Sequence, residues 1–414
     1  MVSNELQKSE FVVGDFKFLA LAKEIQDDVV SWRRRIHENP ELAFQEFETA
    51  DFIEGLLNDF GLAVHRVGPT GLVATIEGTL ADNNARTIAL RADMDALPGE
   101  ELSGLPFASK NKGVIHSCGH DVHSAVLLGV ARLLPRFKDR FAGKLKLFFQ
   151  PAEEILGGAK TFVEAGELDD VDGVAALHVM TDYEVGSIAY RRGVGLAASD
   201  QFRLVIRGKS SHGAQPHRGV DAIVIASQVI GALQSLVSRT LPPLDSAVVT
   251  IGKIQGGVAP NVIADEVILD GTLRTLSNET RKLFVKKIES LVCGIASSLG
   301  GEGVAEFLQG SPPLVVADEW VDRLLRVAPQ SIPASHIHEL PEPSMGGEDF
   351  AFMLEKVPGI FWRLGARTPG GPITFTHSST FVVDEEAIPY GIAITCDLAL
   401  DALAPRNGSA ANRE

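Results

Sequence analysis

Eight consecutive residues, His116-Ser117-Cys118-Gly119-His120-Asp121-Val122-His123, hold a thiol, three imidazoles and a carboxylate in a chain with only three cysteines. Each of these groups binds a divalent metal once deprotonated. The other candidates lie far away in sequence. Glu153 and Glu154 close the stretch Gln150-Pro151-Ala152-Glu153-Glu154, His178 follows an apolar run, and His377 stands near the C-terminus. A finger-like loop keeps its ligands close together. Ligands spread over more than half the chain, each at the edge of an apolar segment, require a fold that gathers distant segment ends in one place.

The pattern of apolar runs supplies such a fold. Residues 72–77, 87–91, 144–149, 174–177 and 361–364 read as strands. Residues 18–60 and 125–134 carry helical spacing. Asp93, Asp95, Glu153, Glu154 and His178 then fall just past the C-terminal ends of strands, the edge where open α/β sheets bind ligands. With 414 residues the chain also exceeds the roughly 250–300 residues at which single cores stop growing. Two domains are expected. The middle of the chain changes character: 201–207, 247–254, 262–272 and 304–308 read as strands, with long helices over 220–237 and 279–299. Strand–helix–strand–strand–helix–strand is a ferredoxin-like plan. The reading is a domain of 15–198 with 312–403, interrupted by an inserted α+β domain at 199–311. The tail 404–414 is expected to be disordered.

Charge and composition narrow the partners. A net charge of −16 argues against nucleic acid or an anionic membrane. No run of about 18 apolar residues suggests a membrane span, and the polar N-terminus lacks the features of a signal peptide. Three widely separated cysteines do not make a disulfide framework, and a reducing cytoplasm would keep Cys118 available as thiolate.

Cys118, His120, Glu154, His178 and His377 exceed what one closed tetrahedral site needs, so two divalent ions are expected. A thiolate or a carboxylate can bridge two ions and a neutral imidazole cannot. Cys118 is the candidate bridge among these ligands, and the residues alone leave the choice between thiolate and carboxylate open. The thiolate suits Zn²⁺, while the carboxylates also accept Mn²⁺, Co²⁺ or Ni²⁺. Adjacent Glu153 and Glu154 repel when both ionise. One should hold metal and the other accept protons, and the residues alone leave open which. Taken singly, such a pair is commonly solvated, and a lone strand-end histidine is commonly just hydrogen-bonded. Only the company of the first cluster changes that weighing. His37, in a helix ending near Pro40, reads as structural, as do His116 and His123. Cys293 and Cys396 read as core, as do Phe350, Phe352, Phe361 and Trp362. In the insert, the loop 209–217 carries His212 and His217. An Asn261 amide and an Arg274 guanidinium follow, a pair suited to gripping a carboxylate.

The chain resembles the M20 family of metallopeptidases, and within it the amidohydrolase branch of hippurate hydrolases, indole-3-acetyl-amino-acid hydrolases and N-acetyl-diaminopimelate deacetylases. The resemblance runs from about Arg33 to Leu403. It rests on Arg33-Arg34-x-x-His37-x-x-Pro40-Glu41-Leu42, Arg91-Ala-Asp-Met-Asp-Ala-Leu-Pro98, Cys118-Gly-His-Asp-x-His123, Gln150-Pro-Ala-Glu-Glu154, Ser211-His-Gly213, Asn261 to Arg274, and Met345-Gly-Gly-Glu-Asp-Phe350. It implies an α/β Zn-peptidase-like catalytic domain with an inserted ferredoxin-like lid that often dimerises. It implies two metals on Cys118, His120, Glu154, His178 and His377, with Glu153 as general base. It further implies that His212 steadies an oxyanion and that Asn261 and Arg274 contact the substrate's carboxylate end. Other branches place a His where Asp93 stands, so Asp93 is expected behind the ligands rather than among them.

The expected reaction is hydrolysis of an N-acyl-L-amino acid to a carboxylate and a free amino acid by a cytoplasmic homodimer. A dipeptidase or carboxypeptidase of the same family is the alternative. A metal-containing binding protein without turnover is a more distant one.

Overall fold

The computed structural model describes residues 17–404. Apart from Ala404, the expected tail lies outside the described residues. The chain divides into two compact units. Residues 17–193, 316–341 and 353–404 form the larger, and 194–315 with 342–352 form the smaller.

The larger unit is built on an eight-stranded mixed sheet. From edge to edge its strands are Ala63–Val67, Gly71–Glu77, Lys144–Gln150, Thr87–Asp93, Gly173–Glu184, Gly359–Arg367, Ile188–Tyr190 and Ile337–Glu339. Four neighbours, from Lys144–Gln150 to Gly359–Arg367, run parallel and so share one C-terminal edge. Parallel strands covered on both faces need apolar side chains throughout, which is why 88–90 and 174–177 read as unbroken apolar runs. Helices His120–Leu133 and Ala387–Leu403 are buried almost all round. They meet at Gly129, where a Cβ would stand 2.4 Å from Ile392 Cδ1.

Two sequence expectations change in detail. The helical stretch over 18–60 is three helices, Phe18–Glu24, Gln26–Glu38 and Phe47–Asp59. Pro40 ends the second, because a proline disfavours helical geometry in the residue before it. His178 lies inside the twelve-residue strand Gly173–Glu184, not past its end. On one side the neighbouring strand stops pairing at Arg91↔Ala176. On the other, pairing continues through Arg363↔His178. The sheet narrows at that point, so His178 still reaches the open edge.

In the smaller unit, strands Ala247–Gly256, Glu266–Thr275, Ala198–Arg207 and Glu302–Ser311 form an antiparallel sheet in that spatial order. Helices Ala222–Thr240 and Asn278–Ser298 pack their apolar stripes against it through residues such as Val229, Leu233, Phe284 and Ile288. This is the ferredoxin-like plan. The Asp221 carboxylate caps the first helix and the Ser277 hydroxyl the second. Helix Ala222–Thr240 is long and apolar enough to cross a bilayer by length and composition, but its stripe of Ile225, Val229 and Leu233 is spent on this core. Segment 342–352, which the sequence reading left with the larger part, packs with the smaller unit. There the Ala197 N–H donates to the carbonyls of Ser344 and Gly346. Cys396 is buried as expected, whereas Cys293 is exposed. The core stripe of its helix runs Phe284, Ile288, Val292, Ala296, and the next residue after Val292 points about 100° away.

Candidate metal centre

Gly119 starts the site. Its φ of 89° is left-handed, and a Cβ there would lie 2.2 Å from Val179 Cγ2, so only glycine fits the turn that opens helix His120–Leu133. Residues on either side of this turn then face distant segments. Cys118 Sγ lies 3.4 Å from His178 Nε2, and His120 Nε2 lies 3.8 Å from Glu154 Oε1. His377 Nε2 is 3.4 Å from Glu154 Oε2, and its backbone N–H donates to the Ser117 carbonyl at 2.7 Å.

The His178 and His120 rings are each turned by a second bond. His178 Nδ1–H donates to the Val179 carbonyl at 2.7 Å. His120 Nδ1–H donates to the Asp95 carbonyl at 3.0 Å and to its carboxylate at 3.2 Å. In both rings the proton is fixed on Nδ1 and the Nε2 lone pair is offered inward, the arrangement in which histidine binds metal.

The residues fit a divalent cation. Among the described residues His120 Nε2 and Glu154 Oε1 are buried without a hydrogen-bond partner, a condition that costs roughly 1–3 kcal/mol per group unless something else satisfies it. Cys118, His120 and His178 each offer a ligand atom, all within 4.8 Å of one another, and so do Cys118, Glu154 and His377. Cys118 is common to both triads. Burial holds His178 well below its usual range, so the ring is neutral. Burial would raise Glu154, but the hydrogen bond from His377 works against it and the carboxyl stays lowered. Burial pushes the Cys118 thiol up to about 12, which a cation at the sulfur reverses by deprotonating the thiol outright.

His123 is a strut. Its Nδ1–H donates to Asp93 Oδ1 at 2.6 Å and its Nε2 accepts the Val179 N–H at 2.9 Å, so neither nitrogen is left for a metal. Asp93 Oδ2 in turn takes Arg91 Nη1 at 2.7 Å. His37 also braces the site from behind. It bonds Asp121 at 2.8 Å and Glu101 at 3.1 Å, while Arg33 reaches Asp121 at 2.6 Å. Burial works against the His37 cation, yet Asp121 and Glu101 raise it to about 9. His116 is buried with neither nitrogen hydrogen-bonded, and burial pushes it down to about 3.

Asp95 is the residue whose task the sequence did not disclose. Besides orienting His120, it accepts the Glu154 N–H at 3.0 Å. Only its position after a strand hinted at a role. Glu153 is buried, with a carboxylate oxygen grouped with His120 and Glu154. Phe350, Phe361 and Trp362 are buried as expected, whereas Phe352 is only partly buried.

His212, Asn261 and Arg274 belong to the smaller unit. His212 is exposed, and its Nδ1 accepts the Ala214 N–H at 3.0 Å, which places the ring proton on Nε2. Gly213 N–H donates to the Asn261 carbonyl at 2.8 Å, so the two segments run side by side. Arg274 is partly buried, and its guanidinium makes no hydrogen bond among the described residues.

The sequence model of peptidase family M20/M25/M40 matches residues 89–401. The N-acetyl-L-cysteine deacetylase of Bacillus subtilis (strain 168) is 42% identical, over 88% of this chain and 85% of its own length. Thermostable carboxypeptidase 2 of Saccharolobus solfataricus is 40% identical, over 91% of this chain and 96% of its own. Among solved structures, the Bacillus subtilis YXEP protein, described as a dinuclear metal-binding peptidase, superimposes with a TM-score of 0.79 at 34% identity. The match covers 92% of this chain and 99% of that one.

Proposed function

The chain belongs to peptidase family M20/M25/M40, and on that premise we propose that it hydrolyses N-acyl-L-amino acids at two divalent metal ions. The observation that carries this reading is the pair of donor triads sharing Cys118, set beside Glu153. Cys118, His120, Glu154, His178 and His377 would hold the ions, Cys118 being common to both triads. Zn²⁺ or Mn²⁺ suits this mixed thiolate, imidazole and carboxylate set, with Co²⁺ and Ni²⁺ compatible. When bound, such ions supply an acidified water and a Lewis-acid hold on the amide oxygen.

The chain's own residues divide the remaining work. Glu153 takes the proton of the attacking water and hands it to the leaving amine, first base and then acid. His212, with its proton on Nε2, donates to the oxyanion. Arg274, half-buried and without a hydrogen-bonding partner among the described residues, holds the amino-acid carboxylate together with Asn261. The larger unit is catalytic in this reading and the smaller is its lid and dimerisation domain. The exposed edge strand Ala247–Gly256, with Val248 and Ile254 outward, supports pairing with a second copy. Three free cysteines suit the cytoplasm.

The deacetylase relative supports a blocked amine on the substrate. The carboxypeptidase relative favours a second reading, release of a C-terminal residue from a peptide. A panel of N-acetyl, N-benzoyl and indole-3-acetyl amino acids beside unblocked dipeptides, run with Mn²⁺ and with Zn²⁺, separates them. The decisive variant is Glu153→Gln. It should lower kcat by about 10²- to 10⁴-fold while metal content, read by mass spectrometry, stays near two per chain. Full activity in that variant ends the assignment.

A further inference from the structure

Large apolar side chains in solvent are ordinary when scattered singly and informative when they gather. In the larger unit six are exposed among the described residues: Phe47, Leu80, Leu102, Ile155, Ile373 and Phe375. Four of the six attach to two of the proposed ligands. Ile155 directly follows Glu154, and Ile373 and Phe375 closely precede His377. Leu102 comes from a distant loop, and its N–H donates to the carbonyl of Ser379, just beyond His377, at 2.7 Å. Glu154 Oε2 and His377 Nε2 lie 3.4 Å apart, so the segments that carry these four side chains meet at one contact.

The backbone on either side of them is tied down. Before Leu102, the Glu101 carboxylate accepts from His37 Nε2 at 3.1 Å and from the Ser109 N–H at 2.7 Å. After it, the Ser103 hydroxyl oxygen accepts the Leu105 N–H at 3.2 Å. Before Phe375, the Thr374 hydroxyl donates to the Val382 carbonyl at 2.8 Å. After it, the His377 N–H donates to the Ser117 carbonyl at 2.7 Å. Ile155 stands between the Glu154 N–H, which donates to Asp95 at 3.0 Å, and the Leu156 N–H, which donates to the Glu153 carbonyl at 2.7 Å. Leu102 is nevertheless 67% exposed and Phe375 73%. An anchored backbone thus holds apolar surface in water, where it is unfavourable. It does so beside the more open of the two donor triads, the one that contains the exposed His377.

We propose that this rim is the acyl subsite, and that the substrates carry an apolar acyl group larger than acetyl: butanoyl and longer alkanoyl chains, or aryl-acyl groups. This rests on the reading of the chain as an N-acyl amino acid hydrolase. An acetyl methyl covers little of such a rim, whereas each further methylene takes apolar area out of water on both partners. The amino-acid end carries a carboxylate, whose grip is assigned to Asn261 and Arg274. The acyl group is the end left for an apolar surface.

The test uses metal-loaded wild-type enzyme and N-acyl-L-alanines, in which only the acyl group varies: acetyl, butanoyl, hexanoyl, octanoyl and phenylacetyl. kcat/KM should rise about two- to fourfold per methylene from acetyl to hexanoyl. The double variant Leu102→Ser, Phe375→Ser opens no core, since both side chains are exposed. It should flatten the rise to less than about twofold per methylene, with metal content near wild type. Calorimetric titration with acetate, butanoate, hexanoate and octanoate, the acids released, should show the same slope in affinity and the same flattening without any turnover. A flat wild-type series overturns the proposal, and so does an unchanged slope in the double variant or a loss equal for acetyl and hexanoyl. A second series, N-acetyl-L-alanine, N-acetyl-L-leucine and N-acetyl-L-phenylalanine, checks the direction. If the double variant alters that ranking and leaves the acyl ranking alone, the rim serves the amino acid and the proposal is overturned. Should the wild type cleave no blocked substrate, the amidohydrolase reading falls instead. The calorimetric slope then decides the rim by itself, a rise with chain length keeping it and equal affinities overturning it, so the two failures are distinct.

Discussion

At the residue scale, the metal centre shows which demands leave a trace in sequence. Coordination accepts few side-chain types, so the proposed ligands Cys118, His120, Glu154, His178 and His377 can be picked out by type and company before any fold is known. The groups that aim them are less visible, because they act through backbone atoms that every residue carries. Asp95 takes a ring N–H and a backbone N–H, and Ser117 offers only its carbonyl. None of these pairings has a spacing that could announce it. The roles of Glu153 and Glu154 were undecidable from adjacency alone for a similar reason, since two neighbouring carboxylates are equivalent until something fixes one of them. Asp95→Asn tests the aiming directly. The carbonyl bond to His120 survives, but the carboxylate bonds weaken, and metal affinity should fall by about 10- to 100-fold. A titration with a metal-buffered dye reads this. Unchanged affinity would leave the carbonyl as the sole orienting group.

At the element scale, the sheet order follows from parallel strands that need helical crossovers, and the apolar runs revealed most of them. Strand ends were harder, because the end is decided by the neighbour: His178 stays in a strand only because Gly359–Arg367 keeps pairing with it. Helix His120–Leu133 depends on two devices at its start. Gly119→Ala should destabilise by at least about 1–2 kcal/mol from the left-handed backbone alone, and the contact with Val179 adds to this. Thermal unfolding should show it, with weakened metal binding alongside. The second device is the His37–Asp121 bond between helix Gln26–Glu38 and this helix. The His37 pKa rises from 6.5 unfolded to about 9 folded, so the folded state holds the extra proton between those values. The contribution is complete below pH 6.5 and is lost as pH rises through about 9. It amounts to something on the order of 3 kcal/mol, shared with the carboxylates. Melting temperature of the wild type should fall over that window, and His37→Asn should flatten the profile. A wild-type profile already flat from pH 6.5 to 9 would remove His37 from the account.

At the scale of the whole molecule, the two units differ in how their chain is supplied. The smaller unit uses one almost continuous stretch, and its Ala247–Gly256 edge leaves Val248 and Ile254 in solvent. Charged residues on such an edge oppose strand pairing. On the proposed dimer, the wild type should sediment as a dimer and the double variant Val248→Lys, Ile254→Lys as a monomer. Equal sedimentation of the two would place the interface elsewhere. The larger unit, by contrast, cannot close its sheet until strand Gly359–Arg367 has arrived, because that strand joins Gly173–Glu184 to the far edge. His377 follows later still. On the ribosome, where domains fold as units as they emerge, most of the smaller unit is available before its host is complete. The ligand set becomes whole only when nearly all the chain has been made. Cys118, His120, Glu154 and His178 all belong to the first half of the chain, so it is completion of the triad waiting for His377 that comes late in synthesis.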